Sequence, residues 1–181
     1  MEWLRNLDQE VVRIVNQEWN SPTLDAFFRV ATWIGLGSVQ AVILIALLVG
    51  RRTRRIGAHA LIAWLLASAV SFALKASLVR YRPSNLVETI VPPDERIFFS
   101  SFPSGHTITA FAIAVSLLLT LSKEARWVGI LAVVLATLVG ISRIYRGVHW
   151  PTDVVAAAAA GTACALAVNL GSEAFSRRSG K

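Results

Sequence analysis

Five apolar stretches divide this chain, at residues 24–50, 57–79, 105–121, 127–141 and 151–170. A helix needs about 20 mostly apolar residues to cross the hydrocarbon core of a bilayer. The two shorter stretches, 105–121 and 127–141, gain length from their flanking turns. Inside lipid every backbone N–H and C=O must be satisfied within the segment, so each stretch reads as a helix. The composition agrees: 55% of the 181 residues are hydrophobic and only 16% charged, a balance that a soluble domain of this length rarely carries. The expected fold is all-α, a polytopic membrane helical bundle of about five transmembrane helices.

What flanks the spans refines this. Residues 3–19 read as an amphipathic helix, with Leu4, Leu7, Val11, Ile14 and Val15 on one face and Arg5, Asp8, Glu10, Arg13 and Glu18 on the other. Trp3 and Trp19 at its ends suit the membrane interface, so the helix is expected to lie on the bilayer. Asn20-Ser21-Pro22 ends it and starts the first span, which is expected to bend at Gly35-Leu36-Gly37. Asp25 and Arg29, four apart, are expected to pair with each other. The alanine run at 156–160 and Gly161 let helices approach closely in lipid. The expectation is one domain, 1–181: the amphipathic helix at 3–19, the bundle at 24–170 and a basic C-terminal tail at 171–181. Cys164 is the only cysteine, so neither a disulfide framework nor a thiol metal cluster is expected. No cleavable signal peptide is read at the start.

Net charge is +7. In a membrane protein that points to basic loops against anionic lipid, and no aromatic-interleaved basic stripe supports a nucleic-acid partner. Five spans put the termini on opposite sides of the membrane. One side gathers Arg51, Arg52, Arg54, Arg55, Lys123, Arg126, Arg177, Arg178 and Lys181; the other holds equally many Lys and Arg, but Lys75, Arg82 and Arg143 among them read as functional and the rest are offset by nearby acids. The Arg-rich turn after the first span should dominate orientation and make its own side cytoplasmic. The expected location is the cell membrane, with the other end of the bundle extracytoplasmic.

At that other end stand three polar islands. The first runs from Lys75 to Arg82-Pro83. A lysine inside an apolar helix is costly and usually has work to do, and Pro83 implies that the helix ends just before Arg82. The second is Pro103-Ser104-Gly105-His106: a turn, a capping hydroxyl and a closely approachable backbone, followed by an apolar helix whose first amides hold an anion well. The third runs from Ser142-Arg143 to His149 and Asp153. Pro151 suits the first turn of the last span. That places Asp153 within reach of His149, and a carboxylate on one imidazole nitrogen makes the other a better nucleophile or base. Together the islands offer three permanent cations, a helix start, two histidines and one carboxylate. That set fits phosphoryl transfer, in which cations and amides neutralise the equatorial oxygens while one histidine attacks and the other protonates the leaving oxygen. It is a poor metal site, because Asp153 is the only carboxylate among the motifs.

Lys-x6-Arg-Pro, Pro-Ser-Gly-His and Ser-Arg-x5-His-x3-Asp, in this order, resemble the three-part signature of the type-2 phosphatidic acid phosphatase and vanadium-dependent haloperoxidase superfamily. The signature covers residues 75–153, and every defining position matches. The resemblance implies a helical bundle, a phosphohistidine intermediate on His149 oriented by Asp153, and His106 as general acid. It implies that Lys75, Arg82, Ser104, Gly105 and Arg143 bind phosphate, that turnover needs no metal or other cofactor, and that vanadate inhibits.

The leading expectation is therefore an integral-membrane lipid phosphatase whose substrate enters sideways from the bilayer. By its small size and the outward orientation of its site the chain is similar to bacterial enzymes that act on undecaprenyl pyrophosphate. Phosphatidic acid, phosphatidylglycerophosphate and lipid A phosphatases are the alternatives within the family, and loop 84–100 is expected to contribute to the choice. A lipid phosphotransferase, a vanadate haloperoxidase and a non-catalytic membrane module stand further off.

Overall fold

A computed structural model describes residues 2–92, 95 and 99–179 of the chain. Helix α1 (Glu2–Val12) runs into a π-helical turn at Arg13–Glu18. Ser21 then caps α2 (Pro22–Ile34) by accepting the Leu24 amide hydrogen, with Pro22 in the first turn. After α2 come α3 (Gly37–Val49), α4 (Arg54–Ser77), α5 (Gly105–Thr120), α6 (Arg126–Tyr145) and α7 (Pro151–Ser179). The chain is all-helical among the described residues, as the sequence implied.

Three helices, α4, α6 and α7, are long and apolar enough to cross a membrane. Helices α2 and α3 together form a broken span bent by 54°, and α5 is a shorter apolar helix. Four of the five expected spans correspond to these when the bent pair counts as one, while α5 at 16 residues falls short of a full span; the break falls at Gly35–Leu36, where the sequence placed it. Large apolar side chains face outward along the bundle, among them Val42, Val49, Phe72, Val155 and Leu170. In a membrane protein that is the lipid-facing surface.

The bundle is built around α5, which packs against α4, α6 and α7. Ile108 and Ala112 of α5 are fully buried with Ala63 and Ala67 of α4 and Ala157 of α7. Small residues let these backbones approach. A Cβ built on Gly161 would lie 2.2 Å from the Ile108 carbonyl oxygen, so only glycine allows α7 to cross α5 there. At 16 residues α5 is also the shortest of these four helices.

Several expectations change at the ends of the bundle. Helix α1 does not turn Asp8 outward: Asp8 is 2% exposed, while Val12 and Val15 join Phe28, Ile144, Tyr145 and Trp150 in a core cluster. Trp3, Leu7 and Trp19 remain exposed. Asp25 accepts a hydrogen bond from the Tyr145 hydroxyl at 2.9 Å rather than pairing with Arg29. The residues assigned to a basic tail continue α7 as far as Ser179, while Gly180 and Lys181 lie outside the described residues. Within loop 84–100, Pro93, Asp94, Arg96, Ile97 and Phe98 also lie outside them.

Candidate active site

The C-terminal ends of α4 and α6 and the N-terminal ends of α5 and α7 share one end of the bundle. The alternation of direction along the chain thus brings all three polar islands together. Helix α4 ends at Ser77, earlier than Pro83 alone implied, and the chain reaches Arg82 in extended conformation. Lys75, in the last turn of α4, donates to the Ser100 carbonyl at 3.0 Å and lies within coulombic reach of Arg82 and Asp153. Arg82 is 5% exposed. Its Nε donates to the Phe99 carbonyl at 3.0 Å and its Nη1 to the Val148 carbonyl at 2.8 Å. Burial and the neighbouring Arg143 lower Arg82 to about 10, which leaves it charged at neutral pH.

Ser104 is the N-cap of α5, but its hydroxyl does not cap the helix as the sequence suggested; it accepts a hydrogen bond from the Thr107 hydroxyl at 2.9 Å. The first-turn amides of α5 are thereby left for another acceptor, at the positive end of the helix dipole. Gly105 and His106 form that turn. The His106 ring feels the charges of Arg143, Arg82 and Lys75, and the α2–α3 break at Gly35 lies against it. The Ser104 amide reaches the backbone carbonyl of Asp153 at 3.4 Å, joining the second island to the third.

The third island folds back on itself. Gly147 takes φ +65°, a left-handed conformation that glycine adopts without steric cost. The reversal lets the Val148 and His149 amides both donate to the Arg143 carbonyl, at 3.2 and 3.3 Å. His149 lands 3% exposed, with Nε2 3.3 Å from Arg82 Nη1. A guanidinium only donates, so Nε2 holds the lone pair and the proton of the neutral ring is on Nδ1. Nδ1 faces Asp153 Oδ2 at 3.6 Å, an ion-pair separation longer than a hydrogen bond. Burial, together with Arg82 and Arg143, lowers His149 to about 3 against the opposing pull of Asp153, so the imidazole is neutral at physiological pH. Arg143 is itself 3% exposed and donates to the Thr32 hydroxyl, while its Nε is buried without a partner among the described residues.

All eight residues singled out in the sequence, Lys75, Arg82, Ser104, Gly105, His106, Arg143, His149 and Asp153, therefore lie at one end of the bundle. Cations and amide donors outnumber carboxylates there, and Arg143, whose Nε has no partner among the described residues, acts through its charge on the His149 ring. Among the described residues no group of three His, Cys, Asp or Glu side chains is placed to hold a metal ion.

Several polar residues at the site escaped the sequence reading. Glu95 accepts from Arg143 Nη1 at 3.4 Å and Arg146 Nε at 2.8 Å. Asn16, fully buried, bonds the Ile90 backbone through both of its amide atoms and also donates to the Tyr145 carbonyl. Asp8 and Arg80 join across the site to Thr152 and Asp153. A polar residue on a marginally apolar helix, and an arginine inside the variable part of a motif, carry no spacing that would have flagged them.

A family model of the PAP2 superfamily matches residues 56–176. The undecaprenyl-diphosphatase of Sulfolobus acidocaldarius is 33% identical over 147 residues, which cover 81% of this chain and 69% of that protein. The crystal structure of Aquifex aeolicus LpxE superimposes with a TM-score of 0.77 at 31% identity, over 88% of this chain and 92% of that one. A transmembrane PAP2-type phosphatidylglycerolphosphate phosphatase from Bacillus subtilis gives a TM-score of 0.79 at 28% identity, over 96% and 88%.

Proposed function

The chain belongs to the PAP2 superfamily, and on that premise we propose how this integral-membrane lipid phosphatase works and what it prefers. The observation that carries the reading is Arg82 holding the unprotonated Nε2 of a buried His149, with the charge of Arg143 also acting on that ring. A phosphoryl group bound there has its equatorial oxygens met by Lys75, Arg82, Arg143 and the first amides of α5 at Gly105 and His106.

In the first step His149 Nε2 attacks phosphorus. A nitrogen–phosphorus bond forms, the bond to the leaving oxygen breaks, and His106 gives that oxygen a proton. The imidazole becomes positively charged on phosphorylation, and Asp153 stabilises it through Nδ1–H. In the second step water attacks phosphorus and passes its proton to His106. The nitrogen–phosphorus bond breaks, releasing inorganic phosphate and the neutral imidazole. The charge neutralisation comes from fixed side chains, so we assign the reaction no metal.

A prenyl pyrophosphate, undecaprenyl pyrophosphate in the first instance, is the preferred substrate, which the resemblance to the Sulfolobus undecaprenyl-diphosphatase along most of the chain supports. Phosphatidylglycerophosphate, phosphatidic acid and lipid A are the competing substrates. The basic cluster Arg51, Arg52, Arg54 and Arg55 lies at the opposite end of the bundle from the site. That Arg-rich turn supports a plasma-membrane enzyme with an extracytoplasmic site.

The test is phosphate release in detergent from each of these lipids. Wild type should turn over undecaprenyl pyrophosphate with the highest kcat/KM, and folded His149→Ala should release none from any. Turnover by His149→Ala would remove the nucleophile assignment; a higher kcat/KM on a glycerophospholipid would remove the substrate preference alone.

A further inference from the structure

The catalytic carboxylate is held from an unexpected direction. Arg80 Nη1 lies 2.6 Å from Asp153 Oδ1, and its Nη2 lies 2.6 Å from Asp8 Oδ2 on α1. The same Nη1 donates to the Thr152 hydroxyl at 2.7 Å, and the guanidinium sits 5.7 Å from the centre of the Trp150 ring. Asp8 in turn accepts the Thr152 amide hydrogen at 3.0 Å and its hydroxyl hydrogen at 2.6 Å. Asp8 is 2% exposed and Asp153 0%. Two buried carboxylates side by side are costly unless a cation is shared between them, and the fork of an arginine is the side chain that can reach both.

The consequence for Asp153 is geometric. Its Oδ1 is taken by Arg80, and its Oδ2 accepts the Trp150 amide hydrogen at 3.0 Å and faces His149 Nδ1. The carboxylate is thus pinned at both oxygens, with one turned toward the imidazole. From this geometry we propose that Asp8 and Arg80 are positioning residues of the phosphatase: Asp8 anchors Arg80 from the N-terminal helix, and Arg80 sets the orientation and charge that Asp153 presents to His149. The proposal rests on His149 being the nucleophile.

The charges give the arrangement a signature. His149 is faced by Asp153 from α7, by Arg82 from the segment after α4 and by Arg143 from α6. Lys75 on α4 and Glu95 act at one remove, through Arg82 and Arg143, and His106 on α5 shares Arg82 and Arg143 as neighbours. Asp8, Arg80 and Asp153 together carry one net negative charge behind Asp153. Arg80→Gln raises that to two and favours the protonated imidazole, while Asp8→Asn cancels it and does not.

The experiment measures kcat, KM and the pH profile of kcat/KM on short-chain phosphatidic acid in detergent, for full-length wild type, Asp8→Asn, Arg80→Gln and Arg80→Lys. Thermal melting checks folding. We expect Asp8→Asn and Arg80→Gln to lower kcat by about 10-fold or more, the usual cost of losing an orienting partner behind a reacting group, with KM within about twofold. Arg80→Lys should recover part of the loss. The acid limb of kcat/KM should move up by about half a unit or more in Arg80→Gln and should not move up in Asp8→Asn. Unchanged kcat in the folded variants, a loss confined to KM, or acid limbs moving upward together would overturn the proposal. Should Arg80→Gln not fold, Asp8→Asn and Arg80→Lys decide on kcat alone. Retained turnover in His149→Ala would instead strike the reaction assignment, a separate outcome.

Discussion

Arg82→Lys keeps the charge at the centre of the site and removes only its shape. Arg82 spans two loops, from the Phe99 carbonyl through Nε to the Val148 carbonyl through Nη1, and still meets His149 Nε2. Its Nη2 has no partner among the described residues and is free for a phosphoryl oxygen. An ammonium is a single point with three donors and cannot bridge both carbonyls while reaching the ligand. Losing one anchoring hydrogen bond from a charged donor costs about 1.5–3 kcal/mol of stability. Losing one donor aimed at the charge that develops on phosphorus costs about 10²–10³ in turnover. The variant should therefore stay folded with a lowered melting temperature, and its kcat/KM for a lipid phosphate should fall by about 10²–10³. Vanadate inhibition should weaken alongside, because vanadate imitates five-coordinate phosphorus. Phosphate release and a thermal melt in the same detergent read both effects. Turnover within about threefold of wild type, in a protein with an unchanged melt, would refute the claim that the fork rather than the charge organises the phosphate.

Other outcomes can be checked alongside. His106→Ala should slow a lipid monoester far more than a pyrophosphate, because an alkoxide needs a proton to leave and a phosphate leaves without one; general acid catalysis is worth about 10²–10⁴-fold, so phosphate release from the two substrates should separate clearly. Stability should fall as pH drops below about 6.5, the ordinary histidine value. The unfolded chain then binds a proton that folded His149, held at about 3, refuses, and the slope is about 1.4 kcal/mol per pH unit for that one proton. Melts of His149→Gln between pH 4 and 6.5 should show a flatter dependence than wild type. Gly161→Ala puts a Cβ 2.2 Å from the Ile108 carbonyl oxygen and 3.0 Å from Phe111 Cβ, so α7 must shift off α5, and the melt should drop by an overpacking cost of about 1–3 kcal/mol.

The site was legible where chemistry fixes residue type and spacing together. Lys75, Arg82, His106, Arg143, His149 and Asp153 are expensive residues at the ends of apolar runs, and that expense marks them in the sequence. The broken first span was legible too, because Gly35 and Gly37 interrupt an otherwise continuous apolar run. Asp8 was not: a pattern reading turns every polar residue of an amphipathic helix outward, and only the tertiary position of Arg80 explains why one turns in. Arg80 itself lies at an unspecified position of the first motif. The early end of α4 at Ser77 is not legible, because proline marks only the last place at which a helix can continue, and an extended segment before it leaves no residue signal. Asp25 fits the helical pairing rule with Arg29, yet the Tyr145 hydroxyl of a distant helix takes it.

The short central helix α5 has a further consequence for the lipid. Sixteen residues rise about 24 Å, against a hydrocarbon slab of about 30 Å. Its catalytic tip is thus recessed by several ångströms when its far end is level with the opposite leaflet's surface. A headgroup must sink to be processed, or the surrounding leaflet must dimple to meet it. Turnover should then depend on acyl length in the host vesicle, with thin membranes presenting the phosphorus at less elastic cost than thick ones.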